Sequence, residues 1–454
     1  MTRVIYWNIE KFSATKINVA SPNPLLAMQS TGRLNLIEGV FAPWLGGGEE
    51  EMEWQELPPD IFVVVEVSAR TDPVIPEGLP LFGGSGGGRG VRQLLQALRN
   101  EFGAHWSLVP PIFLGREGFR EGVAVFYNAE TVMFEGPYVL SHPAGYALPT
   151  ALPATVANIE TIQNYGAVWN AGFPGGGRTW EFEEGVHIPE SQSAGQWAFY
   201  AGGNRIYFPG ESNRSPFYTR FLDIATGRRL KLFSVHTSPS SANQAVERLA
   251  LIPELVPAEN EVSLIVGDFN VDTFGAQAAR YNGLLENNFR LLLDSRAPGA
   301  EVPDLNRKPY CMTHLLPIAQ ARPWNVVGVP NPDTTHNAYP RYGYMGSTLP
   351  GGGLSEAGAI DNALVRYGPG GAGEPKASVV NPVVGTPYNQ VAEPPEGVTA
   401  ELTTGAPYRR SMANEIPQPE GVEAPNDIPG EFRSWENFGR IRSTSDHLPL
   451  VVEV

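Results

Sequence analysis

Cysteine is nearly missing from this chain. Cys311 is its one thiol, which excludes an intrachain disulfide framework and fits a reducing compartment. No apolar run approaches the ~18 residues that a transmembrane helix needs, so no membrane span is expected. The first residues, Met1-Thr2-Arg3-Val4-Ile5-Tyr6-Trp7, read as a strand and not as a signal peptide. The expectation is a protein that is cytoplasmic, or exported without a cleavable leader. Positive charge is also short: 32 Lys and Arg stand against 48 Asp and Glu, a net charge of −16. Such a field opposes broad electrostatic attraction to nucleic acid. It leaves a nuclease open, because a local basic rim and bound cations act against the global field. His-x-x-x-His and Cys-x-x-Cys spacings are missing, which speaks against a zinc site. There is no repeat of fixed period.

What the 454 residues do hold is much Gly and Pro, 50 and 42, so loops must be long. Between the loops, apolar runs mark strands at Arg3–Ile9, Asp60–Val67, Gly122–Tyr127, Arg220–Ile224, Leu230–His236, Ser263–Val266, Ala359–Arg366 and Leu448–Val454. Several are apolar on both faces, as in sheets packed against each other or covered by helices. Helical stripes occur at Val91–Phe102, Ala242–Leu255 and Gln277–Phe289. Three irregular stretches, about 140–213, 296–357 and 368–434, read as insertions on one domain spanning the chain. In the first, Trp169, Trp180, Trp197, Tyr200 and Tyr207 form either a mini-core or a stacking surface for bases. The third reads as a surface excursion with little regular structure. Gly83–Gly90 reads as a flexible connection or as a phosphate cradle at a helix N-terminus, without the ending of a P-loop.

Several strands end in polar or ionisable residues. Leu264-Ile265-Val266-Gly267-Asp268-Phe269-Asn270 delivers a carboxylate and a carboxamide two residues apart, on one face if the chain stays extended. Alone, this turn is either a polar loop or a grip for a hydrated metal, a water or a phosphate oxygen. Trp7-Asn8-Ile9-Glu10, Phe62-Val63-Val64-Val65-Glu66 and Ser234-Val235-His236 end in the same manner. Asp361 lies in an apolar strand, and Ser445-Asp446-His447 precedes the last one. Singly, each has an ordinary reading as a turn cap or a hydrogen-bonded histidine. Together, carboxylates and histidines at several strand ends suit metal-assisted hydrolysis, with hard oxygen ligands for Mg2+ and imidazoles for proton transfer.

The order of these segments resembles the endonuclease/exonuclease/phosphatase superfamily, from Asn8 to His447. Within it, Leu114-Gly115-Arg116 through Glu121, Asn213-Arg214-Ser215-Pro216 and Ser234-Val235-His236-Thr237-Ser238-Pro239 resemble the pancreatic-type deoxyribonuclease branch. The chain departs from the family pattern at Val65, at Ser68 and at Asn362-Ala363. The last two put the substrate in question, not the chemistry.

The resemblance implies a four-layered α/β sandwich: two packed mixed β-sheets flanked by helices, with long loop insertions. It implies Mg2+, with Mn2+ or Ca2+ as substitutes, on Glu66 and Asn8, with Asp268 and Asp446 completing the anionic site. Asp268 and Asn270 would position water and phosphate. His236, oriented by Glu121, and His447, oriented by Asp361, would form an acid–base pair, and Arg214 would face a phosphate. The activity expected first is hydrolysis of DNA. The alternative is a phosphodiesterase or phosphatase acting on a phospholipid head group, an inositol phosphate or a nucleotide. A non-catalytic binding protein is the third reading, and the intact set of residues speaks against it.

Overall fold

The computed structural model describes residues 1–41, 59–68, 86–109, 113–114, 121–136, 138–140, 180–182, 186–187, 198–209, 214–273, 276–294, 313–314, 359–379, 388–389 and 443–454. In chain order the strands are β1 (Arg3–Phe12), β2 (Ile61–Ser68), β3 (Trp106–Leu108), β4 (Phe113–Leu114), β5 (Glu121–Asn128) and β6 (Val132–Gly136). Five short strands follow: β7 (Tyr138–Leu140), β8 (Trp180–Phe182), β9 (Val186–His187), β10 (Ala198–Ala201) and β11 (Asn204–Ile206). Then come β12 (Phe217–Asp223), β13 (Arg229–His236), β14 (Glu261–Asp268), β15 (Arg290–Leu291), β16 (Asp361–Tyr367), β17 (Lys376–Val379), β18 (Tyr388–Asn389) and β19 (Leu450–Glu453).

Two mixed sheets carry the fold. One runs β18-β17-β19-β1-β2-β5-β3, with β4 also on β5; the other runs β15-β16-β14-β13-β12-β6. At the centre of each is a parallel pair, β1 with β2 and β13 with β14. Their outer neighbours, β19 and β5 in one sheet and β12 and β16 in the other, run antiparallel to them. This arrangement gathers the site. The C-terminal ends of β1, β2, β13 and β14 lie at the same edge as the N-terminal ends of β5, β16 and β19. Polar residues far apart in sequence therefore meet at one rim.

The central strands are apolar on both faces and fully buried, including Val4–Trp7, Ile61–Val65 and Leu264–Val266. Helix Gly86–Phe102 covers one sheet with the stripe Val91, Leu94, Leu95 and Leu98, all fully buried. Each such side chain contributes about 1.5–3 kcal/mol. The sheets are also stitched by polar contacts: Asp268 N donates to Tyr6 Oη across the interface at 2.7 Å.

The helix expected at Val91–Phe102 starts earlier. Gly83–Gly90 read from sequence as a flexible connection or a phosphate cradle; Gly86–Gly90 form the helix's first turns, and Gly83–Ser85 lie outside the described residues. Glycine is required there by close packing, not by flexibility. A Cβ on Gly87 would lie 2.0 Å from Ser68 O, and one on Gly90 2.6 Å from Ala14 N. The helix expected at Ala242–Leu255 ends at Leu249, and a 3-10 turn, Pro253–Leu255, follows it because Pro253 cannot continue the ladder. Gln277–Phe289 divides into a 3-10 segment, Ala276–Tyr281, and a short helix, Asn282–Glu286.

Helix Pro24–Phe41 was not expected. Its N-terminal half is exposed at Leu25, Leu26 and Met28, and the buried residues Leu36, Ile37 and Val40 come late, so no apolar stripe runs along it. A start signal was present: Asn23 Oδ1 accepts from Leu25 N at 3.0 Å as an N-cap, and proline follows it. The stretch 368–434 is also more regular than expected, since β17 and β18 extend the first sheet. Of the aromatics in the first insertion, Tyr200 is half-buried and Tyr207 is 65 % exposed. Trp169 and Trp197 lie outside the described residues.

Candidate active site

Sequence register builds the second-sheet wall of the site. His236 pairs with Asp268, and Asp268 with Asp361, across three adjacent strands. The first sheet supplies Asn8 and Glu66 from the C-terminal halves of β1 and β2. Both strands are irregular there: the register shifts between Asn8 and Phe12 and between Val64 and Val67. Glu66 itself sits at φ +57°, a left-handed conformation rare for a residue with a Cβ. Backbone strain of this kind is of order 1–3 kcal/mol and persists where surroundings enforce it. Here it sets Glu66 within reach of Asn8: Asn8 Nδ2 donates to Glu66 Oε1 and to Asp268 Oδ2, both at 3.2 Å.

Two imidazoles flank Asp268. His236 Nε2 lies 3.5 Å from Asp268 Oδ2 and 3.3 Å from Glu66 Oε1. His447 Nε2 lies 3.6 Å from the same oxygen, Asp268 Oδ2. Each histidine is held from behind by a carboxylate, His236 Nδ1 by Glu121 at 2.6 Å and His447 Nδ1 by Asp361 at 2.7 Å. These contacts fix ring orientation and raise basicity. The loop before β19 is fixed too: Ser445 Oγ donates to Asn8 O, His447 N donates to Ser445 Oγ at 2.9 Å, and Trp7 Nε1 donates to His447 O at 2.8 Å.

Burial and charge work against each other here. Burial pushes the Asp268 carboxyl up to about 6, although His447 and His236 pull it down. Burial lowers His447, but Asp361, Asp268 and Asp446 outweigh it and hold the imidazole near about 10. His236 is raised above its ordinary value in the same way: burial opposes, Glu121 and Glu66 prevail, and Arg214 subtracts. Glu66 is lowered, because His236, His447 and the Asn8 amide overcome its burial.

Other expected residues fall into less simple places. Arg214 does not stand free to meet a phosphate: Nη2 is 3.1 Å from Glu121 Oε2, and Nη1 is 3.1 Å from His236 Nδ1. Asn270 is not in extended chain. At φ +50° it turns back, its N–H donates to Asp268 Oδ1 at 2.9 Å, and Nδ2 donates to Thr237 O at 3.0 Å. The pair shares a volume through this turn and not through strand alternation. Asn362, a departure from the family pattern, hydrogen-bonds both Leu293 N and Leu293 O at 3.1 and 3.0 Å. It holds the edge of the sheet and is a structural residue. Asp446, half-buried, lies 3.9 Å from His447 Nε2.

One residue of the site had no sequence signal. His314 forms an isolated antiparallel bridge with His447, their rings 5.0 Å apart. It lies in the Gly- and Pro-rich stretch 296–357, and nothing in its local pattern marks it.

No protein-family model and no curated protein matches the sequence. Solved structures similar to the chain include endonuclease/exonuclease/phosphatase proteins. An endonuclease/exonuclease/phosphatase family protein from Leptotrichia buccalis is 10 % identical, with 100 % of this chain and 99 % of that one covered and a TM-score of 0.40. D. rerio TDP2 complexed with single strand DNA product is 9 % identical over 100 % and 99 %, with a TM-score of 0.37. The human Nocturnin catalytic domain is 11 % identical over 100 % and 94 %, with a TM-score of 0.32.

Proposed function

We propose that the chain is a metal-dependent phosphodiesterase of the endonuclease/exonuclease/phosphatase type, with DNA as its first substrate class. The observation that carries the reading is the double imidazole–carboxylate arrangement around Asp268, with Glu66 and Asn8 beside it. Asn8 Oδ1 is buried and has no hydrogen-bond partner among the described residues. A buried acceptor left in this state costs about 1–3 kcal/mol. The atom of Asn8 that faces Glu66 is Nδ2; with the amide turned over, Oδ1 and the Glu66 carboxylate would form an oxygen pair suited to Mg2+. Glu66 and Asn8 would hold the ion, which when bound offsets charge on the phosphoryl oxygens.

The chain's own residues account for the proton movements. Asp268 and Asn270 orient a water. His236, oriented by Glu121 at Nδ1, accepts the water's proton at Nε2 in its neutral form. The water oxygen bonds to phosphorus and the bond to the leaving oxygen breaks. His447, held protonated by Asp361, gives a proton to that leaving oxygen. Arg214 fixes Glu121 and His236 and contributes positive charge at the rim.

The net charge of −16 and the engagement of Arg214 favour a second reading, a small phosphodiester or lipid head group in the same site. A panel of plasmid, single-stranded DNA, RNA, sphingomyelin and inositol phosphates, each with Mg2+, Mn2+, Ca2+ or EDTA, separates the two. Cleavage of DNA ahead of the small esters supports the first. Turnover of a lipid or inositol ester alone supports the second, and no metal-dependent turnover of any contradicts both.

A further inference from the structure

We propose that His314, Asp446 and His447 form a second metal site, suited to a nitrogen-preferring ion of the Zn2+ class, and that an ion there shuts the phosphoester site by occupying His447. The inhibitory half rests on the reading in the preceding subsection; the binding half does not.

The backbone presents the three residues together. Leu448 N donates to Thr313 O at 2.6 Å, and Asp361 N donates to Thr313 Oγ1 at 3.0 Å. Thr313 is thereby pinned to both β16 and the start of β19, and His314 pairs with His447. Paired residues of an antiparallel bridge project to the same side. The two rings accordingly sit 5.0 Å apart, tilted by 49°. Asp446 closes the triangle, with Oδ2 3.8 Å from His314 Nε2 and Oδ1 3.9 Å from His447 Nε2. One donor atom from each residue falls within 4.8 Å of the others.

Those separations are near what a tetrahedral ion needs. Ligands about 2.1 Å from a shared Zn2+ stand about 3.4 Å apart. The two Asp446 distances, one to each carboxylate oxygen, lie a few tenths of an ångström beyond that, and His314 and Asp446 are both half-buried. The donors also discriminate. Glu66 and Asn8 offer oxygen only, as Mg2+ prefers, whereas two imidazoles and one carboxylate suit Zn2+. Three protein ligands leave a position open, so the site is of the exchangeable and not the structural kind. His-x-x-x-His and Cys-x-x-Cys searches miss it because its ligands come from strand pairing across more than a hundred residues.

The consequence follows from the nitrogens of His447. Nδ1 is committed to Asp361 at 2.7 Å. Nε2 is the one that faces Asp268 and the substrate side, and an ion on Nε2 holds the lone pair that otherwise carries the proton. The other three-donor group, Asp268, Asp361 and His447, is fully buried and already closed by that hydrogen bond.

The test uses the metal-stripped full-length protein and Zn2+ in competition with a chromophoric chelator. Wild type, His314→Asn, His314→Phe and Glu66→Gln are compared after circular dichroism shows each folded. The backbone bridge does not depend on the imidazole, and the Phe variant keeps ring volume. We expect Zn2+ binding to weaken by at least about tenfold in both His314 variants and to persist in Glu66→Gln. Equal affinity in wild type and the folded His314 variants overturns the site, as does a loss confined to Glu66→Gln. In parallel, Zn2+ is titrated against Mg2+-supported hydrolysis of bis(p-nitrophenyl) phosphate. Half-inhibition at higher Zn2+ in the His314 variants supports the inhibitory half, and no shift overturns it. If no phosphoester is hydrolysed, the functional reading fails while the chelator competition still decides the site.

Discussion

At the residue scale, the site is an excess of carboxylates held together by two histidines and one arginine. Glu66, Asp268 and Asp446 were legible in the sequence because each stands beside an end of an apolar run, Asp361 because it lies within one, and Glu121 through the family resemblance. Their partners were harder to read. The pairing of Glu121 with His236 and of Asp361 with His447 came from family resemblance, and the distances of 2.6 and 2.7 Å agree with it. His314 was illegible, since a single bridging residue has no period. The Asp361–His447 pair has a measurable consequence for stability. His447 is raised from 6.5 to about 10 by its carboxylates, so its contribution is fully present below pH 6.5 and is lost as pH rises through about 10. In EDTA, the melting temperature should therefore fall between pH 6.5 and 10, and His447→Gln should flatten that fall. A wild-type curve as flat as the variant's would show that the pair does not stabilise the imidazolium.

At the element scale, strand ends do the positioning. Every predicted strand has a counterpart, and most differ only by one to three residues at the ends, because buried β-strands announce themselves by apolar runs. Helices were less legible. Pro24–Phe41 lacks a stripe, and the glycines of Gly86–Gly90 disguise a helix whose first turns press on β2. That contact reverses the usual effect of a substitution. Gly→Ala inside a helix ordinarily stabilises by about 0.5–1 kcal/mol. In Gly87→Ala the new Cβ meets Ser68 O at 2.0 Å, two residues beyond Glu66. It should destabilise by about 1–3 kcal/mol in urea unfolding and raise the Mg2+ concentration needed for turnover. A stabilised Gly87→Ala protein would mean the helix is free of β2.

For the whole molecule, two mixed sheets bring Asn8, near one end of the chain, and His447, near the other, to the same Asp268 oxygen. The sandwich was legible through its apolar strands and the order of their polar ends. The insertions were not, since Gly- and Pro-rich loops carry no period, and β8–β11 and β17–β18 show that regular structure hides in two of them. Charge acts at this scale as well. A chain of −16 that cleaves DNA must gather phosphates locally against its own field. Neutralising about two phosphates already costs roughly tenfold in affinity over a fourfold rise in salt. The KM for plasmid should rise at least that much between low and physiological salt, while a small phosphodiester should shift far less. Equal salt dependence for both would remove DNA as the natural substrate. Metal-dependent phosphoester hydrolysis by two carboxylate-held histidines is measured most directly by steady-state turnover of the best phosphodiester by wild type, His236→Ala and His447→Ala. We predict that EDTA abolishes wild-type turnover, that Mg2+ restores it, and that either substitution lowers kcat by about 10²–10⁴-fold; wild-type turnover in the folded His447→Ala protein would contradict the account.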